Sequence, residues 1–145
     1  MKVVLQRVTA AAVTVDGVVV GRIGRGYLLL VGLAGGDDAT TVRRLAAEVA
    51  KARLMPDAQG KMGVNLRDAG AEALAVSQFT LLADFTKGNR PSFNGAARPE
   101  VAEPLFDLFA QELGALLGRP VPTGVFGADM AVELVNDGPV TVVLE

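Results

Sequence analysis

Cysteine and histidine are both absent from this chain of 145 residues, and so is tryptophan. Without cysteine there is no disulfide and no thiolate nucleophile, and without histidine there is neither a Ser-His-Asp triad nor an imidazole base near neutral pH. A zinc site would need oxygen ligands alone, which zinc seldom accepts. We therefore expect no metal and no other cofactor. Any catalysis must use hydroxyls, amides, carboxylates, Lys, Arg, the backbone or a reactive group of the substrate.

Long apolar runs are also missing. The longest, around residues 27–31, is far too short to span a bilayer, and the first residues lack the apolar region of a signal peptide. We expect a cytoplasmic protein without a membrane partner. Sixteen acidic against fourteen basic residues give a formal charge of −2. That balance argues against broad, non-specific nucleic-acid binding but leaves room for a small basic patch.

The hydrophobic pattern predicts a single domain over residues 1–145. Asp16-Gly17 between two β-branched segments is typical of a hairpin turn. Many short strands and two ordinary helices predict an α+β fold, in which a strongly curved β-sheet or small β-barrel is covered by two main helices. The helices are expected over residues 40–53 and 99–117, the central strand over 73–82, and the last two strands over 131–135 and 140–144.

One segment, Ser77-Gln78-Phe79-Thr80, ends an apolar run and opens a loop rich in polar, Gly and Pro residues. Functional residues are often found where a buried strand ends and a loop begins. On a continuing strand Ser77 and Phe79 would point to one face, and Gln78 and Thr80 to the other. Without further support, residues of these types are more often turn formers than catalysts.

Three basic residues, Lys87, Arg90 and Arg98, lie close to this segment in sequence. A solvated loop and a phosphate-binding loop are equally compatible with them.

Five segments together resemble the signatures of the D-aminoacyl-tRNA deacylases, in the right order and over essentially the whole chain. The resemblance implies a homodimer that hydrolyses the ester between a D-amino acid and the 3′-terminal adenosine of tRNA. It also implies that glycine mischarged on tRNA is a substrate and that L-aminoacyl-tRNA is rejected. The segments are Gln6-Arg7-Val8, Ser77-Gln78-Phe79-Thr80-Leu81, Gly88-Asn89-Arg90-Pro91-Ser92-Phe93, Thr123-Gly124-Val125-Phe126-Gly127-Ala128-Asp129-Met130 and Asn136-Asp137-Gly138-Pro139-Val140-Thr141.

In that family a Gly-cis-Pro pair enters the partner's site and excludes L-substrates. Here the pair would be Gly138-Pro139, and Arg7 matches the residue thought to hold it in place. On the residues alone a trans turn between two strands is the default, since few X-Pro bonds are cis. Were the bond cis, a backbone wall without a side chain could approach the substrate α-carbon, and glycine permits that approach.

The resemblance places catalysis at Ser77, Gln78, Phe79 and Thr80. Backbone N–H groups of Phe79 and Thr80 are candidates for an oxyanion site, with Gln78 and Thr80 as positioning groups and the adenosine 2′-hydroxyl assisting water. Thr80 as a nucleophile remains an alternative, although no histidine is available to activate it.

A second group of residues would hold the tRNA 3′ end, a short single-stranded target. A rival interpretation is a non-catalytic module for RNA ends or small ligands, using Gln78, Thr80 and Arg90 for recognition. Only the enzyme predicts turnover. The residues proposed for the 3′ end are Lys87, Arg90, Pro91, Ser92 and Phe93.

Overall fold

The computed structural model describes residues 1–145, which form a curved sheet with two helices packed against it. This arrangement confirms the α+β fold expected from the sequence. No helix has the length and apolar character needed to cross a bilayer. In chain order the elements are β1 (Lys2–Val15), β2 (Val18–Ile23), β3 (Gly26–Gly32), α1 (Ala39–Lys51), β4 (Met55–Pro56), β5 (Met62–Val64), β6 (Glu72–Ser77), a 3₁₀ helix (Phe79–Leu82), α2 (Pro99–Leu117) and β7 (Ala131–Leu144).

Strand β1 is the centre of the main sheet. It pairs antiparallel with β3 and β2 and with residues 131–136 and 141–144 of β7, while β6 extends the sheet parallel to β3. The expected hairpin turn joins β1 and β2, with φ of 49° at Asp16 and 77° at Gly17. Two positive φ angles in succession match the twist of the flanking strands, which explains why Asp-Gly forms this turn.

The sheet buries side chains on both faces. Tyr27 and Leu29 of β3 point into a cluster of 20 buried residues that includes both helices, whereas Leu28 points into a cluster of 7 on the opposite face. Alternating side chains of one strand thus serve two cores. The smaller core is closed in part by half-buried residues of β7, including Val132 and Leu134.

The central strand is shorter than the sequence predicts. Strand β6 ends at Ser77, and Phe79–Leu82 form a 3₁₀ helix. Gln78 donates the last ladder bond, from its N–H to the Val31 carbonyl at 2.8 Å, and its φ of −144° and ψ of 78° then turn the chain. The expected alternation of side chains beyond Ser77 is therefore wrong.

The last two expected strands are one strand. Both halves of β7 pair with β1, with Asn136 opposite Val8 and Thr141 opposite Gln6. Residues 137–140 consequently bulge out opposite Arg7 alone, and no chain reversal separates the halves. The Gly138-Pro139 bond in this bulge is cis, as the resemblance implies, so the trans turn favoured by the residues alone is wrong.

Candidate active site

A pocket of about 650 Å³ opens where β6 gives way to the 3₁₀ helix. Ser77, Gln78 and Phe79 line it, and Phe93 from the downstream loop faces them. The rings of Phe79 and Phe93 meet edge to face, with centroids 5.1 Å apart and planes at 72°. The structure thus brings together four of the residues singled out from the sequence. This volume lies within the range usual for small-molecule sites, about 300–1,000 Å³.

The first turn of the 3₁₀ helix presents free hydrogen-bond donors. Neither the Phe79 N–H nor the Thr80 N–H donates to an acceptor in the protein, whereas the Leu81 N–H bonds to the Gln78 carbonyl at 3.2 Å. The opening N–H groups of a helical turn have no partner within that turn. Two adjacent donors are therefore free, one at Phe79, which lines the pocket, and one at the residue that follows it.

Thr80 does not line the pocket, and its exposed hydroxyl accepts a hydrogen bond from the Gln78 side-chain amide. An amide takes up no proton near neutral pH, so this contact orients the hydroxyl without activating it. The geometry favours a positioning role for Thr80.

The far side of the pocket is formed by residues 126–130 and by the start of α2. Its charged side chains, Asp129 and Arg98, are both exposed. Arg98 is one of the three basic residues singled out from the sequence, whereas Asp129 was given no role there. Asp129 lies in a segment that carries the family resemblance, and Arg98 follows the polar loop. Their positions in the chain link both residues to segments of interest, but only tertiary packing brings them close to Ser77.

The polar loop after the 3₁₀ helix is closed at its base by two backbone hydrogen bonds between Asp84 and Ser92, each 2.8 Å long. The Asp84 carboxylate also accepts from the Thr86 backbone N–H, which, with the Thr86 hydroxyl, holds the pKa of Asp84 below its usual value. At the tip Lys87 and Arg90 are exposed and form no ion pair. Neither side chain lines the pocket, nor do Pro91 and Ser92.

Arg7, Gly138 and Pro139 also lie outside this pocket. The Arg7 Nε donates to the Asp137 carbonyl at 3.0 Å and stands 3.3 Å from its carboxylate, and Nη1 donates to the Leu54 carbonyl at 2.8 Å. The Arg7 side chain is only 13% exposed, so these contacts are partly shielded from water. Arg7 thus fixes the residue immediately before Gly138.

Asn136 holds the other side of the bulge. Its side-chain Nδ2 donates to the Arg7 carbonyl at 2.9 Å and to the Val140 carbonyl at 3.0 Å. Together with Asp137 it supports Gly138-Pro139, yet neither was assigned a role from sequence. Gly138 and Pro139 themselves are exposed.

Two solved structures have the same fold as this chain. A structure described as "c-Myc DNA Unwinding Element Binding Protein" is similar at a TM-score of 0.94 and 39% identity, covering 100% of this chain and 98% of that one. A second, described as "Structural Analysis of a probable eukaryotic D-amino acid tRNA deacylase", is similar at a TM-score of 0.85 and 18% identity, covering 99% and 97%. The second likeness concerns the fold alone.

Similar curated sequences and a family model show the family to which the chain belongs. Proteins named "D-aminoacyl-tRNA deacylase" from Thermomicrobium roseum and Chromobacterium violaceum are 59% and 56% identical over the whole chain, which covers 94% and 97% of their lengths. The family model described as "D-Tyr-tRNA(Tyr) deacylase" matches residues 4–145. The chain belongs to the D-Tyr-tRNA(Tyr) deacylase family.

Proposed function

We propose that this protein hydrolyses the ester between a D-amino acid and the 3′-terminal adenosine of tRNA, accepts glycine in the same position and rejects L-amino acids. Hydrolysis of D-aminoacyl-tRNA follows from membership of the family. The pocket between Ser77, Phe79 and Phe93, with free backbone donors at its edge, is the observation that supports its location. The selectivity and the assignment of residues are our inference.

In this proposal the Phe79 and Thr80 N–H groups stabilise the oxyanion that forms when water attacks the ester carbonyl. Such preorganised donors are worth several kcal/mol in the transition state, about 2.7–4 kcal/mol for one donor in a well-studied case. The Gln78 amide and the Thr80 hydroxyl position the substrate, and the adenosine 2′-hydroxyl assists the water. This scheme needs no protein base of the histidine type, which the chain lacks.

Selectivity in this proposal comes from the Gly138-Pro139 segment of a second copy of the chain. The segment is exposed and does not line its own pocket, which supports insertion into a partner's pocket. A D-residue would direct its side chain towards solvent, whereas an L-residue would drive it into the backbone wall. Glycine has no side chain to exclude, so it would be hydrolysed too.

The tRNA 3′ end would lie along the polar loop, with Lys87 and Arg90 facing its phosphates and Phe93 beside the terminal nucleotide. Both basic side chains are exposed and lack ion-pair partners, and Phe93 already lines the pocket. A short single strand needs few cationic contacts, which is compatible with the negative net charge.

Hydrolysis of matched D-tyrosyl-, L-tyrosyl- and glycyl-tRNA by the purified protein tests this proposal, with a chelator in one arm. We expect the D- and glycyl esters to be cleaved at the same rate with and without chelator, and the L-ester to persist. Cleavage of both enantiomers would refute the chiral filter. Survival of all three esters while the RNA end still binds would support the non-catalytic module.

A further inference from the structure

Tyr27 is the only tyrosine of the chain, and its side chain is completely buried. It stands directly opposite Arg7 in the antiparallel pairing of β3 with β1. Residues directly opposite each other on antiparallel strands project to the same face of the sheet. Tyr27 and Arg7 therefore both reach the segment that links α1 to β4.

The Tyr27 hydroxyl connects two backbone groups of that segment. It donates to the Ala52 carbonyl at 3.1 Å and accepts from the Leu54 N–H at 3.1 Å. Ala52 is the residue that caps the C-terminus of α1. One hydroxyl thus fixes the turn by which the chain leaves α1.

Leu54 carries this order on to Arg7. Its N–H is held by Tyr27, and its carbonyl accepts from Arg7 Nη1 at 2.8 Å. The Nε of the same guanidinium donates to the Asp137 carbonyl at 3.0 Å. An unbroken series of hydrogen bonds therefore runs from a buried hydroxyl to the residue that precedes Gly138.

We propose that the Tyr27 hydroxyl is a positioning group: it fixes Leu54, which orients the Arg7 guanidinium and, through Asp137, the Gly138-Pro139 segment. Its consequence for substrate selection rests on the function proposed above. Arg7 has a long, flexible side chain, and a fixed second acceptor at the Leu54 carbonyl restricts the orientation in which its planar guanidinium meets Asp137. A phenylalanine side chain would fill nearly the same volume, so packing alone does not require the hydroxyl.

The test replaces Tyr27 by Phe, which removes the hydroxyl and keeps the ring. The control is Leu29→Val, a truncation on the same strand and face, in the same buried cluster, at a residue that offers no side-chain hydrogen bond. Two quantities are measured in the full-length protein: the hydrogen-exchange rate of the Arg7 Nε–H by NMR, and the rates for D-tyrosyl-, L-tyrosyl- and glycyl-tRNA.

We expect Tyr27→Phe to speed exchange of the Arg7 Nε–H by about tenfold, because this bond opens locally once Leu54 is released. The ratio of D- to L-ester hydrolysis should fall by about tenfold, since small displacements at a site carry costs of this order. Glycyl-tRNA hydrolysis should stay within about twofold of wild type, because glycine has no side chain for the Gly138-Pro139 backbone to exclude. Leu29→Val should leave the exchange rate and the ratio unchanged.

Unchanged Arg7 exchange in Tyr27→Phe, or an equal change in Leu29→Val, would overturn the positioning role. An unchanged D-to-L ratio alongside faster exchange would overturn its consequence for selection. The wild-type rates separate this from the function itself: if the wild-type enzyme cleaves both enantiomers, the proposed function fails, while the exchange rates still decide the role of Tyr27.

Discussion

Gly32, the last residue of β3, lies directly against the 3₁₀ helix of the candidate site. A Cβ atom at this position would stand 2.9 Å from the Gln78 carbonyl oxygen, 2.8 Å from the Leu82 Cδ2 atom and 3.1 Å from the Leu81 Cβ atom. The Leu82 side-chain tip can rotate away. The Gln78 carbonyl belongs to the backbone and accepts from the Leu81 N–H, so it cannot yield alone.

The displacement that Gly32→Ala requires follows from these distances. Ordinary contact begins near 3.4 Å, so the carbonyl at 2.9 Å must retreat by about 0.5 Å. Overpacking of this kind costs about 1–3 kcal/mol of stability. A 1 Å misplacement can cost about 100-fold in rate, so a shift of half that size at Gln78 should lower kcat/KM for D-tyrosyl-tRNA about tenfold.

The assay compares kcat/KM and Tm of Gly32→Ala with wild type. Gly35→Ala is the matched control, because a Cβ at Gly35 meets nothing within 4 Å. We expect the control to match wild type in activity. Full activity and unchanged Tm in Gly32→Ala would refute the idea that close packing on β3 positions the 3₁₀ helix.

Three further predictions concern single residues. Thr80→Ala should keep measurable activity in single-turnover assays, since its hydroxyl has no activating base; complete loss in a folded protein would favour covalent catalysis. Gly138→Ala should lower the D-to-L hydrolysis ratio by tenfold or more, because the new Cβ would collide with the Val140 backbone N, and an unchanged ratio would contradict the assigned role. Burial raises the pKa of Tyr27 above its ordinary value of 10.0, partly offset by the Leu54 N–H and the Arg7 charge. Because the native state favours the neutral phenol, Tyr27 contributes to the free energy of unfolding. This contribution is complete below pH 10 and is lost as pH rises through the native pKa of Tyr27. Tyrosinate absorbance should therefore appear at higher pH in native than in denatured protein, and coincident titrations would contradict this.

Local chemistry in the sequence was enough for several elements of the fold. Asp16-Gly17 specifies its turn through positive φ angles, and the expected bounds of α2 agree with the structure. The helix also continues through Pro104, although proline there removes a backbone donor from the second turn. Its buried face, which includes Phe106 and Phe109, compensates for that loss.

The end of β6 at Ser77 could not be predicted from the local sequence pattern. Phe79-Thr80-Leu81-Leu82 suits a strand as well as a helical turn, and the choice depends on packing against Gly32, more than 40 residues away in the chain. The continuity of β7 likewise depends on pairing with β1.

The candidate site was predictable in part. Four residues that line the pocket, Ser77, Gln78, Phe79 and Phe93, lie near each other in sequence, in segments on which the resemblance rests. Asp129 and Arg98 reach the same pocket from a distant loop and from the start of α2, so only the folded chain brings them there. The contacts of Arg7 with Leu54 and Asp137 also join three distant segments.

In the proposed function, a pocket of one chain and the Gly138-Pro139 segment of another form one site. Ala128 lines the pocket, so Ala128→Trp would fill the pocket of its own chain, whereas Gly138→Trp would obstruct the pocket of its partner. Each variant alone should be inactive on D-tyrosyl-tRNA. After the two chains are unfolded and refolded together, about half of the dimers should be mixed, with one intact site each, restoring about a quarter of wild-type activity. Mixed dimers that form but remain inactive would contradict a site shared between two chains.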